Sequence, residues 1–159
     1  MRPLTTDAIR ASFLNVSLRE RKAIPLPDLD AIDWEKLDFL GWRDPKQPLL
    51  GYVVADVDGE AAGILLRQAE PPRTRAQCSW CDDVQLPAPV VFFSAKRTGD
   101  AGRRGDTVGT LICAGFECSA NVRKLPTLAY LGFDREAERE RRILALQEHV
   151  TNFATNLRG

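Results

Sequence analysis

The chain is poor in histidine, in long apolar runs and in any excess of charge, and each shortage removes a class of function. A single histidine, His149, among 159 residues leaves no Ser/His/Asp set and no histidine-based catalytic metal site. No apolar run approaches the roughly 20 residues that cross a bilayer. Met1 to Arg10 is polar and lacks the apolar core of a secretory leader, so the expected setting is soluble and cytoplasmic, with no membrane partner. Basic and acidic residues balance at 22 each, which argues against a broad grip on nucleic acid through phosphate neutralisation. No linker, internal repeat or low-complexity stretch divides the chain. A hydrophobic content of 44% with 28% charged residues is that of a folded protein, and the reading is one α+β domain over residues 1–159.

What the chain does have is four cysteines in two close pairs, Cys78-Ser-Trp-Cys81 and Cys113-Ala-Gly-Phe-Glu-Cys118, with residues 82–112 between them. A two-residue gap lets one tight turn aim both sulfurs at a single point, and Zn²⁺ favours four thiolates in a closed structural site. The interval holds a knuckle, a β-hairpin and a helix start, which is the order of a treble-clef zinc finger over about residues 76–125. A disulfide framework does not suit a chain without a secretory leader. A Cys-x-x-Cys redox pair leaves Cys113 and Cys118 unexplained, and haem attachment lacks the histidine after Cys81. Four thiolates also hold iron–sulfur clusters, and spacing does not separate that reading from zinc. With all four positions filled by cysteine the metal has a folding role, and a chelator is expected to loosen the C-terminal half.

Local signals give the remaining elements. Thr5-Thr6-Asp7 caps a helix carrying Ile9, Phe13 and Leu14 and running to about Asn15. Ser17 and Glu20 form a capping box for a second short helix, which Pro25 and Pro27 end. Trp34, Phe39 and Trp42 read as core aromatics. Tyr52–Val57 and Ala62–Arg67 flank Asp58-Gly59, an antiparallel hairpin. Pro71 and Pro72 then break the pattern and lead through Arg73 to Gln77. Ala88–Ala95 and Thr107–Ile112 are β-rich runs joined by Thr98–Asp106, a flexible connection whose glycines lack the Gly-Lys-Ser/Thr ending of a phosphate loop. Cys118–Arg123 is expected to make a turn or two of helix. From Asp134 one long helix carries Ile143, Leu146, Val150, Phe153 and Leu157 on one face, with Arg139, Arg141 and Arg142 toward solvent. The fold class is therefore α+β: small antiparallel hairpins, short N-terminal helices, a four-cysteine treble-clef zinc finger and a long C-terminal helix.

Cys78-Ser-Trp-Cys81, Cys113 to Cys118 running into Ser119-Ala-Asn121-Val122-Arg123, and the upstream Leu40-Gly41-Trp42-Arg43-Asp44-Pro45 together resemble the C-terminal treble-clef region of the elongation-factor-G-binding proteins, the FusB-type fusidic-acid-resistance family. The resemblance implies one structural zinc on Cys78, Cys81, Cys113 and Cys118. It also implies a non-enzymatic protein that binds elongation factor G, the ribosome or both, and promotes release of the factor. The resistance proteins carry an N-terminal helical bundle ahead of this region, whereas here short helices precede the hairpin. Arg97, Arg103 and Arg104 in the Gly-rich stretch, with Arg123 and Lys124 after the last cysteine, are the candidate partner contacts, a basic edge that also includes Lys96. Arg123 and Lys124 are equally placed to offset the negative charge of the thiolates. A reading of a different class is direct binding of ribosomal or other structured RNA. No small-molecule substrate is implied, and Asp82-Asp83 reads as a polar turn rather than an acid–base pair.

Overall fold

Apolar residues occupy both faces of one hairpin, and that sets the layering. The computed structural model describes residues 1–69, 76–82 and 89–158; Pro71, Pro72, Asp83 and Ala88 lie outside them. Strands β1 (Phe39–Arg43), β2 (Leu50–Val57), β3 (Glu60–Gln68), β4 (Val90–Lys96) and β5 (Thr107–Cys113) form a 5-stranded antiparallel sheet in chain order. Helices α1 (Thr6–Ser12) and α2 (Leu18–Ala23) precede it. Helix α3 (Gly99–Arg103) joins β4 to β5, and α4 (Cys118–Arg123) and α5 (Arg135–Leu157) follow. Along β2 the pleat sends Tyr52 and Val54 to a cluster with Ile9, Phe13 and Ile24, while Val53, Ala55 and Val57 join Leu146 and Val150 of α5. The sheet is thus covered by α1 and its neighbours on one face and by α5 on the other.

The expected hairpin is present, turned by Asp58 (φ 54°) and Gly59 (φ 84°) between β2 and β3. The turn between β1 and β2 is set by Asp44. Its Oδ1 accepts from the amides of Lys46 at 2.8 Å and Gln47 at 2.9 Å, and its Oδ2 accepts from the Tyr52 hydroxyl at 2.7 Å. Phe39 is buried, and Trp34 and Trp42 pack half-buried against the α1-side cluster.

Two local readings are corrected. Helix α1 stops at Ser12, not Asn15, because Phe13 leaves the helix to bridge Gly63 and Leu14 N donates to Gly63 O at 2.8 Å. Asn15 then pairs both ways with Leu65, at 2.9 Å each, so this connection covers part of the β3 edge. A Cβ at Gly63 would lie 2.8 Å from the Phe13 ring, so glycine is what admits α1. The Thr98–Asp106 connection is not a loose linker but contains α3, with Gly99 (φ 62°) and Gly105 (φ 94°) at its ends. It is tied to the end of α5: Thr98 N donates to Leu157 O at 3.0 Å and Arg97 to Asn156 O, a cation on the last carbonyls of a helix.

Helix α5 begins at its Asp134 cap, whose carboxylate accepts from Glu136 N and Ala137 N. It buries Leu146, Val150, Phe153 and Leu157 as expected. On the opposite side Arg141 is exposed and paired with Glu138, whereas Arg139, paired with Glu136, and Arg142 are half-buried rather than free in solvent.

Candidate metal centre

Both cysteine pairs sit on tight turns whose backbone is closed locally. In the first, Asp82 N donates to Cys78 O at 3.0 Å and Cys81 N to Cys78 Sγ at 3.5 Å. In the second, Phe116 takes φ 64° and its amide donates to Cys113 O at 3.0 Å, so that Cys118 opens α4. Ser79 N also donates to Leu111 O at 2.7 Å, which lays the first turn along the outer edge of β5.

These turns bring the four buried sulfurs within 4.8 Å of one another. The Cys78–Cys118 and Cys81–Cys113 separations are both 3.7 Å. A tetrahedron of Zn–S bonds of about 2.3 Å has an edge of about 3.8 Å, so the spacing fits one zinc ion. It is too tight for a multinuclear iron–sulfur cluster, which spreads its cysteines over several metal atoms. The thiols oppose one another's ionisation: hydrogen bonding from Cys113, then Cys118 and Cys81, pulls Cys78 down, while Cys113, Cys78 and Cys81 push Cys118 up. A shared divalent cation is the group that lets all four be thiolates together.

The Ser-Ala-Asn-Val-Arg run after Cys118 supports the sulfurs. Asn121, buried, donates to Cys113 Sγ at 3.6 Å, and its Oδ1 accepts from Lys124 Nζ at 3.0 Å. Ser119 Oγ accepts from Asp38 N at 3.0 Å, and Val122 is core. Arg123 forms an ion pair with Asp38, whose side chain is only 1% exposed and also accepts from Gln147 Nε2 at 2.9 Å. Asp38 therefore joins the start of β1 to α4 and α5. The sequence pattern exposed the arginine but not this carboxylate, which lies 85 residues away.

Phe116 anchors the second turn to the sheet. Its ring fills a slot left by Gly41 and Gly51 on adjacent strands, where a Cβ at Gly51 would come within 2.6 Å of the ring and one at Gly41 within 2.8 Å. It stacks on Phe93 at 5.4 Å, and the Arg43 guanidinium lies 4.6 Å from the Phe93 centroid while Arg43 Nε donates to Ala114 O at 2.6 Å. Trp80 of the first turn packs on Phe39 and Phe153. His149 is no ligand: its Nδ1 lies 3.0 Å from Trp80 O, holding α5 against the first turn.

The basic candidates do not form one edge. Arg97 and Arg103 line a groove beside α3, together with Lys96, whereas Arg123 borders a separate pocket with Pro27 and Leu40. Arg103 pairs with Asp100 and Arg104 with Asp106, all exposed. Arg97 and Arg123 are half-buried and held by Asn156 and Asp38.

Two cysteine turns, the β4–β5 hairpin between them and a helix opening on the fourth cysteine define a treble-clef zinc finger. The model of the family described as FBP C-terminal treble-clef zinc-finger matches residues 8–157, and the chain belongs to that family. Family and sulfur geometry together identify a structural zinc ion as the cofactor. Among solved structures the chain is similar to one titled "Structure of the fusidic acid resistance protein FusC", with a TM-score of 0.57 and 21% identity over 76% of this chain and 53% of that one. That likeness is one of fold, and the chain spans about half of that protein's length. No curated protein matches. No helix among the described residues is long and apolar enough to cross a membrane.

Proposed function

We propose that this chain is a non-enzymatic docking protein of the cytoplasm that binds translation elongation factor G and promotes its release from the ribosome. In this reading zinc on Cys78, Cys81, Cys113 and Cys118 stiffens the docking surface, and residues 1–159 act as one folding unit. Membership of the treble-clef family and the resemblance to FusB-type proteins support the partner. The observation that carries a protein partner is the segment after α4: Leu125, Leu128, Tyr130 and Leu131 are exposed, Leu131 at 99%, and clustered exposed apolar residues mark protein-binding surfaces. Lys124 beside that segment supplies a basic contact, whereas Arg103 and Arg104, paired with Asp100 and Asp106, stand apart from it at α3. Arg97 and Arg123, engaged within the chain, serve the fold.

The test is calorimetric titration of purified elongation factor G with zinc-loaded protein. A complex that weakens at least about tenfold, or about 1.4 kcal/mol, in Leu128→Ser/Leu131→Ser is the expected result. Absence of a complex with the native chain at tens of micromolar, or indifference to the double substitution, overturns the reading.

A further inference from the structure

A second surface, sharing no residue with the apolar segment, lies where β3 and β4 part. Among the described residues these strands pair at Arg67↔Ser94 and Gln68↔Phe93, and Ala69 N donates to Phe92 O at 2.9 Å just beyond. Past the Arg67↔Ser94 pair the space between the α1–α2 connection and α3 opens into a groove of about 830 Å³. Four cations, Arg67, Lys96, Arg97 and Arg103, line it with one carboxylate, Glu20, and with Arg103 paired to Asp100 the cations still outnumber the acids in a chain of zero net charge. Glu20 is committed to the α2 cap, accepting from Ser17 N at 2.7 Å. Hydrogen bonding from Ser17 is the main cause of its lowered pKa, and the charges of Arg67 and Lys96 add to it. Arg67 and Lys96 are exposed and, among the described residues, make no side-chain hydrogen bond.

Phe92 stands on the same face of β4 two residues from Ser94, and its ring lies over Gly109, where a Cβ would collide with it. The missing side chain at Gly109 lets the ring rest on the neighbouring strand, and Phe92 stays 39% exposed. A basic channel beside an accessible aromatic ring on a sheet is the arrangement that holds single strands, with phosphates on the cations and a base on the ring. An acidic peptide would satisfy the cations but has no use for the ring. The hydroxyls of Ser94 and Thr107 in the lining can exchange hydrogen bonds with a ribose 2′-hydroxyl.

We infer that this groove and the Phe92 ring bind single-stranded RNA. Fluorescence anisotropy of a labelled ten-nucleotide RNA with the zinc-loaded chain, at about 50 and 200 mM salt, tests it, because each neutralised phosphate adds about 0.7 to the slope of log affinity against log salt. In Arg67→Ala/Lys96→Ala, expected to fold normally by circular dichroism and zinc content, affinity falls about tenfold and the slope loses about 1.4. Phe92→Leu keeps the cover on Gly109 but removes the stacking face. It weakens binding about tenfold with the slope unchanged. No binding at the lower salt overturns the inference, as does indifference to both variants, displacement by poly-glutamate as readily as by unlabelled RNA, or equal affinity for DNA of the same sequence.

Discussion

Replacing Arg123 by methionine separates a residue that holds the fold from one that meets a partner. The substitution keeps an unbranched stem of similar length and removes the charge that faces Asp38. What remains is a carboxylate 1% exposed with the Gln147 amide at 2.9 Å as its side-chain donor. Removing one member of a fully buried pair costs about 3–5 kcal/mol. Arg123 is 27% exposed, so water reaches the vacated place and Gln147 stays, which lowers the expected cost to about 2–3 kcal/mol. For a chain of this size that corresponds to a fall of about 5–10 °C in Tm. Thermal unfolding must be run at a fixed excess of zinc, because an ion that binds only the native state shifts Tm with its concentration. A double-mutant cycle with Asp38→Asn should return a coupling of about 1–2 kcal/mol. If Arg123→Met lies within about 0.5 kcal/mol of wild type, the ion pair does not hold α4 and α5 to β1, and the arginine is free to serve a partner.

Three other outcomes follow from the same geometry. Gly51→Ala places a Cβ 2.6 Å from the Phe116 ring and should cost about 1–3 kcal/mol with faster zinc loss to a chelator; an unchanged release rate would mean that the second knuckle is not anchored by this slot. Asn121→Ala removes the donor to Cys113 Sγ and should weaken zinc binding about 10–100-fold in a chelator competition, whereas unchanged affinity would remove this bond from the account. For Asp44, burial alone would raise the carboxyl, but the Tyr52 hydroxyl and the amides of Lys46 and Gln47 outweigh it and hold the carboxyl below its usual range. Its folded pKa is therefore below the unfolded one of about 3.9, so its stabilisation is complete above that pH and lost as pH falls through the folded value. Urea midpoints of wild type and Tyr52→Phe should accordingly differ most near neutrality, begin to approach each other near about pH 4 and converge only as pH falls through the lower folded value; a difference constant across pH contradicts the coupling.

Features written in short-range chemistry were legible from the chain. The Ser17/Glu20 capping box, the Asp58-Gly59 turn, the Asp134 cap and the α5 stripe each depend on residues a few positions apart, and the two cysteine pairs carry their own turn geometry. Strand β1 was not read as a strand. Phe39 and Leu40 face opposite cores, Gly41 is kept bare for Phe116 and Trp42 stacks on Tyr52, so no alternation of apolar and polar residues marks it. Helix α1 looked longer because Phe13 and Leu14 continue its spacing, yet the edge of β3 claims them. Glycines between β4 and β5 suggested looseness but served a tight helical turn. The destination of Arg123, like the contact of His149 with Trp80 from 69 residues away, is a product of tertiary assembly, and local pattern carries no record of it.

The hydrogen bond from Ser79 to Leu111 gives the first cysteine turn a second duty. A terminal strand with bare amides and carbonyls is a template on which another molecule can grow, and here the metal-bearing turn lies along that border. Stripping the ion would release the turn and leave β5 open, so the demetallated protein should self-associate into oligomers before it unfolds fully. Scarcity of zinc would then act as a solubility hazard as well as a loss of binding.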